Sequence, residues 1–216
     1  MADIFDEVSE ELKQEQLIQI WKKYSKHIFI FIFLLILSVS SYQVYKIWNK
    51  KQLTKNSEVF FAGLQKLDTK KFQESADIFL KNSLEQKDGY RTLSIFGLAQ
   101  SNYKLGKISE MIENYRSIYE DNTIGSYYQH LARMLSVIKD NKNSFEKLQG
   151  RLSPILNSPS KLQLLASELE IILYIRFNKN DKALKAINIL LARSEITPEQ
   201  KNRISLINKV YSLHEK

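Results

Sequence analysis

Three histidines are the residues with the widest chemical range in this chain: His27, His130 and His214. A general acid or base, or a metal ligand, needs a partner within reach, and none of the three has one at metal-ligand spacing. His27 sits at the edge of an apolar run, His130 stands alone in a helical pattern, and His214 lies in the tail. The chain contains no cysteine, which removes disulfides, thiolate metal sites and a cysteine nucleophile together. Glu168 and Glu170 form an acid pair, but residues two apart do not share a helix face, so they read as separate solvated charges. There is no glycine-rich phosphate loop, no nucleophile elbow and no HExxH segment. The expectation is a chain that is not an enzyme, with no cofactor, no metal and no small-molecule substrate.

Charge bounds the partners. Residues 1–45 carry four lysines and six acids, leaving 28 basic and 18 acidic residues in the remainder. A basic domain of this kind rests on anionic headgroups, attracts acidic clients, or has a lysine-rich solvated surface in which Lys and Glu are interspersed. Nucleic-acid binding is not expected, because no helix-turn-helix or aromatic ribonucleoprotein motif is present.

Helices must position whatever this chain does. With 6 Gly and 3 Pro in 216 residues, and long runs of Leu, Ile, Lys, Glu and Gln, helix breakers are scarce. No hairpin signal separates alternating apolar runs, so the fold class is all-α with essentially no sheet.

From Ile28 to Tyr45 there is no charge, and at 1.5 Å rise per residue this stretch spans roughly 27 Å, close to a bilayer core. Lysines 22, 23 and 26 precede it, lysines 46, 50 and 51 follow it, and Trp21, Tyr24, Tyr45 and Trp48 occupy interfacial positions. The reading is a single transmembrane helix with ends at Ile28 and Tyr45 and partnered by the lipid bilayer. The acidic 27-residue leader is wrong for the basic start of a cleaved signal peptide, so the anchor is retained. Orientation is not given by charge. Lys13, Lys22, Lys23 and Lys26 before the span balance Lys46, Lys50, Lys51 and Lys55 after it.

Ahead of the span, Ile4, Phe5, Val8, Leu12, Leu17, Ile18 and Trp21 form an apolar stripe at helical spacing, with Asp3 as N-cap. This segment is either a helix that docks on a membrane partner or a solvated extension of the span.

Past Lys51 the pattern becomes pairs of amphipathic helices. Val59, Phe60, Ala62, Gly63 and Leu67 precede a break at Asp68-Thr-Lys-Lys, and Phe72, Ala76, Phe79 and Leu80 follow it. Ile95, Leu98, Ala99 and Tyr103 then precede Gly106, with Ile108, Met111, Tyr115 and Ile118 after it. Lys70 and Gly106 are equivalent turn positions 36 residues apart, the period of a helical solenoid. A helix with Tyr128, Leu131, Ala132, Leu135 and Ile138 leads to Phe145, Leu148 and Leu152, with Pro154 and Pro159 marking the descent from it. A late unit holds Leu165, Leu169, Ile172 and Leu173, a turn at Asn178-Lys-Asn180, then Ala183, Ile187 and Leu190. Thr197-Pro198 opens a last, capping helix with Ile204, Ile207, Val210 and Leu213. These stripes are read as core.

Leu98-Ala99, Tyr103-Lys-Leu-Gly106 and Tyr115 resemble the tetratricopeptide repeat, in a degenerate copy with Met111 and Thr123 where that repeat usually has alanine and proline. The resemblance assigns repeat packing to Leu98, Ala99, Tyr103, Gly106 and Tyr115, with Ala183 and Ile187 in the late unit. The opening Asp3-Ile-Phe-Asp-Glu-Val-Ser-Glu-Glu-Leu, Trp21-Lys-Lys-Tyr, the single span and the weak repeats resemble the ancillary Sec-translocon subunit family, the YfgM-like proteins. Leu152-Ser-Pro-Ile-Leu, Leu165-Ala-Ser-Glu-Leu-Glu and Asn180-Asp-Lys-Ala-Leu are similar to its alphaproteobacterial branch. This resemblance implies a bacterial inner-membrane protein in three parts: a cytoplasmic segment 1–26, a transmembrane helix 27–47 and a periplasmic tetratricopeptide-like repeat domain 48–216. It implies an interaction scaffold whose partners are Sec translocon subunits and a periplasmic folding factor, acting as a chaperone in protein export. The alternative is an assembly or structural scaffold for another cell-envelope complex.

Overall fold

The structure, a computed structural model, describes residues 2–85 and 89–214, with side chains described for 18, 21–26, 29–85 and 89–209. The described residues form helices α1 (Ala2–Asp68), α2 (Phe72–Glu85), α3 (Gly89–Lys104), α4 (Ile108–Tyr119), α5 (Ser126–Lys139), α6 (Phe145–Leu156), α7 (Gln163–Arg176), α8 (Asn180–Leu191) and α9 (Pro198–His214). They contain no strand. The chain divides into two units, residues 1–55 and 56–216.

The first unit is helical backbone with its large apolar side chains in the open. From Phe29 to Tyr45 the large hydrophobics are between 45% and 67% exposed. One helix among the described residues is long and apolar enough to cross a membrane, and this is its apolar part. The side chains of Ile4, Phe5, Val8, Leu12 and Leu17 ahead of it, and of His27 and Ile28, lie outside those described, while Ile18, Trp21 and Tyr45 are 53%, 55% and 61% exposed.

In the second unit each helix packs against its neighbours in chain order, and α5 also meets α7. Short connections force successive helices to run antiparallel, so every unit is a helix hairpin. Three of the turns inside these hairpins are built alike. Lys70, Gly106 and Asn178 have φ of 61°, 74° and 53°, the left-handed region. In each, the N–H of that residue and of the lysine after it reach back to the helix end. Gly106 donates to the Tyr103 carbonyl at 3.0 Å and Lys107 to that of Asn102 at 2.9 Å. Lys70 and Lys71 donate to Leu67 and Lys66, and Asn178 and Lys179 to Ile175 and Tyr174, in the same pattern. This Schellman closure satisfies the last carbonyls of the helix.

The remaining hairpin, α5–α6, turns by another device. Asp140 is extended (φ −86°, ψ 109°) and its carboxylate accepts the backbone N–H groups of Lys142 and Asn143 at 3.0 and 3.1 Å. Arg151 donates to the same carboxylate at 2.8 Å, and Arg176 donates to the Asp140 carbonyl at 2.7 Å. A fully buried aspartate thus replaces a left-handed residue.

Four small cores follow one another along the unit. Ala76, Phe79 and Leu98 form the first, with Phe60 and Leu64 against them. Met111, Tyr115 and Ile118 anchor the second, Leu148, Leu152 and Leu173 the third, and Ile171, Ile187 and Ile204 the fourth. The last helix closes the fourth core with Ile204, while the Val210 and Leu213 side chains lie outside those described. It starts with a capping box: Gln200 N–H donates to Thr197 Oγ1 at 3.3 Å and Thr197 N–H to Gln200 Oε1 at 3.1 Å.

Several stripe residues expected in the core are not there. Ala62, Leu80, Tyr128, Ile138, Leu165 and Ile172 are exposed. On α7, Leu169 and Leu173 face one core and Ile171 the next, which leaves Leu165 and Ile172, seven residues apart, on the outward side. On α2 the buried face is instead Ser75, Ala76, Phe79 and Asn82. Two of these polar side chains find partners on neighbouring helices: Ser75 Oγ donates to the Gly63 carbonyl at 2.9 Å, and Asn82 Nδ2 donates to Ser94 Oγ at 2.7 Å. Pro154 lies inside the last turn of α6, and Pro159 in the connection that follows.

Candidate interaction surface

The acid–base candidates are dispersed. His130 on α5 is half-buried with Nδ1 2.8 Å from Ser160 Oγ, and burial together with Arg133 lowers its pKa. Glu168 and Glu170 do point different ways, but neither is a free solvated charge. Glu168 is clasped by Arg203 of α9 at 3.0 Å, whereas Glu170 accepts from Gln149 at 3.0 Å and Tyr174 at 3.1 Å. The sequence reading of these two as solvated is therefore corrected: short contacts from neighbouring helices satisfy both. Among the described residues no group of three or more His, Asp or Glu could hold a metal ion.

Of the repeat-packing residues, Ala99, Ala183 and Ile187 are fully buried, Leu98 is 8% exposed and Tyr115 2%. Burial pushes the Tyr115 hydroxyl up to about 12. Gly106 is exposed and left-handed, with open space around a would-be Cβ, so backbone conformation is what it supplies. Tyr103 is half-buried.

Tyr103 belongs to a surface that α3 and α5 make side by side. At one end the Phe96 ring packs on Tyr115 (centroids 6.0 Å) and on Tyr128 (6.5 Å), with Tyr127 at 5.7 Å from Tyr128. At the other end Lys139 Nζ lies 4.4 Å from the Tyr103 ring centroid. Tyr127 and Tyr128 are 51% and 42% exposed. Aromatic rings held by a core beneath them, with cations at the margin, are suited to gripping a polypeptide.

Beside Tyr128 a cavity of about 320 Å³ is lined by Gly89, Arg91, Thr92, Leu93, Thr123 and Ile124. Its charges are matched: Arg91 donates to Asp121 at 2.8 Å, and hydrogen bonds from Thr123 and Arg91 hold the Asp121 carboxyl down at about 2. The sequence singled out Tyr103 and Tyr128, each as packing. It missed Phe96 and Tyr127, because a helical stripe does not reveal which aromatics stay on the outer rim of a core.

Residues 19–194 match the tetratricopeptide repeat-like domain family. The chain belongs to that family, whose repeats are protein-interaction scaffolds. No curated protein and no solved structure matches it.

Proposed function

We propose that this chain is a protein-interaction scaffold held in the bacterial inner membrane by residues 27–47. In this reading residues 1–26 are cytoplasmic and the repeat domain, residues 48–216, is periplasmic. It works beside the Sec translocon and a membrane-anchored periplasmic folding factor on newly exported proteins. The observation that carries the tether is the run from Phe29 to Tyr45, charge-free with its large apolar side chains exposed. Burying such a side chain is worth about 1.5–3 kcal/mol, so a bilayer is a far better solvent for this helix than water. The scaffold role rests on the family and on the aromatic face of α3 and α5. Orientation and the translocon link rest on the resemblance of the opening residues and of the late repeats to the ancillary Sec-translocon subunits.

Co-purification in mild detergent tests the partner. Sec subunits and a periplasmic folding factor are expected to be enriched with the full-length chain, and to fall away in a Tyr127→Ala/Tyr128→Ala variant. If another envelope complex is enriched and Sec subunits are absent, the translocon reading fails and an assembly scaffold replaces it.

A further inference from the structure

Every hairpin turn in the repeat domain is closed through the main chain of a lysine. The N–H groups of Lys71, Lys107 and Lys179 donate to the carbonyls of Lys66, Asn102 and Tyr174 at 2.9, 2.9 and 2.8 Å. In the α5–α6 turn the N–H of Lys142 donates to the Asp140 carboxylate at 3.0 Å. Closure uses only the N–H, which any residue but proline supplies, so the fold does not ask for a lysine side chain. Lys and Arg together are 32 of 216 residues, so composition does not put lysine at all four places either. Lys71, Lys107 and Lys142 are exposed and Lys179 is half-exposed.

The turns are cationic and the opposite connections are not. Windows 66–74, 102–110, 138–147 and 174–182, around the turns, hold 11 basic and 6 acidic residues. Windows 84–92, 119–127, 156–164 and 191–199, around the opposite connections, hold 4 basic and 6 acidic residues. Two of the acids near the turns are already engaged: Glu74 by Lys66 and Lys71, and Asp140 by Arg151. Contacts across each gap make the turns one continuous row. Lys107 Nζ donates to Gln73 Oε1 at 3.2 Å, Lys139 Nζ lies over the Tyr103 ring, and Arg176 donates to the Asp140 carbonyl. Packed helices stand about 8–10 Å apart, so neighbouring turns in the row are on the order of 10 Å apart. An extended chain rises about 3.3 Å per residue and covers that distance in about three residues.

We propose that this row binds an extended acidic polypeptide segment carrying a carboxylate at every third residue, one for each lysine. A single exposed lysine–carboxylate contact is weak, so selectivity comes from the register, which lets four form at once. The row offers no platform for nucleic acid. Ile138 is the one exposed large apolar side chain in its windows, so no ring is open for a base to stack on. Nor does the row meet lipid: α1 is one helix from the apolar run to Asp68, and the first turn begins at its far end, away from the bilayer. That last step rests on the tether proposed above; the lysine row and its spacing do not.

The test measures peptide binding by the full-length chain in phosphatidylcholine nanodiscs, read by fluorescence anisotropy. One peptide has glutamate at every third position with threonine between, and a second has the same composition with its glutamates in one block. The periodic peptide is expected to bind about tenfold more tightly, and to be released in about 0.5 M salt. Changing Lys71, Lys107, Lys142 and Lys179 to glutamine should abolish the preference while leaving thermal unfolding unchanged, because each N–H remains. Changing the exposed Lys81, Lys161, Lys185 and Lys201 instead removes the same charge away from the four turns, and should leave the preference intact. Equal affinity for the two peptides, equal loss in both variants, or tighter binding of oligothymidylate than of the periodic peptide overturns the proposal. A chain recovered outside the discs overturns the tether, and the preference is then read on that soluble chain.

Discussion

Phe79→Ala is expected to lower the unfolding free energy of the first repeat by about 3–5 kcal/mol. The ring is fully buried and is held between two backbones. A Cβ built on Gly63 would stand 2.7 Å from Phe79 Cε1, and one built on Gly97 would stand 2.6 Å from its Cε2 and Cζ. The two glycines make the slot that the ring fills, with Phe60 tilted against it at 5.6 Å. The slot cannot collapse when the ring is removed, because hydrogen bonds fix its walls. Ser75 Oγ donates to the Gly63 carbonyl, Ser101 Oγ donates to the Gly97 carbonyl at 2.9 Å, and the two hydroxyls lie 3.0 Å apart. A cavity therefore remains, which is the costly case for a large-to-small change. Filling the slot from the other side, by Gly97→Val, is expected to destabilise the same region through overpacking. Since neighbouring repeats stabilise one another only locally, hydrogen exchange in mild detergent should show the loss concentrated in residues 56–105. A change below about 1 kcal/mol, or one spread evenly over all repeats, would contradict the slot.

Arg151→Met is expected to cost about 3–5 kcal/mol, because it leaves the fully buried Asp140 carboxylate without its cation. Burial pushes the Asp140 carboxyl up, but hydrogen bonds from Asn143, the Lys142 N–H and Arg151 outweigh it and hold the group below its ordinary value. The sign follows from that. A lowered folded-state pKa means that the stabilisation is complete above the unfolded value, about 3.9, and is lost as pH falls through the folded value. Wild type should therefore lose stability in the α5–α6 turn only in strong acid, and Arg151→Met should lose it already at neutral pH. The double change Asp140→Asn/Arg151→Met, which removes both charges, is expected to recover a large part of the loss. Denaturant melts of wild type and the two variants at neutral pH check this, and equal stability of Arg151→Met and wild type would contradict it.

These two sites also mark what the sequence made legible and what it did not. The helix hairpins and the turns at Lys70, Gly106 and Asn178 follow from apolar spacing and from a period of 36, which are local properties. Phe79 is legible as a stripe residue, but its slot depends on Gly97, a residue on another helix that carries no pattern of its own. The burial of Ser75 and Asn82 is hidden for the same reason, since a polar residue reads as solvated until its partner is known. Asp140 belongs to no sequence pattern, and only Arg151 and Arg176, 11 and 36 residues away, make it a buried strut. The aromatic face of α3 and α5 was half visible. Periodicity places Tyr103 and Tyr128 on the inner stripe, while packing density decides which part of each ring stays at the surface.

The tether with an outward repeat domain is tested most directly by protease treatment of spheroplasts expressing the full-length chain with a tag at its N-terminus. The account predicts that the repeat domain is digested without lysis, while the tag stays protected on a fragment that remains in the membrane after carbonate extraction. A repeat domain protected until the cells are lysed, or a chain released by carbonate, would contradict it.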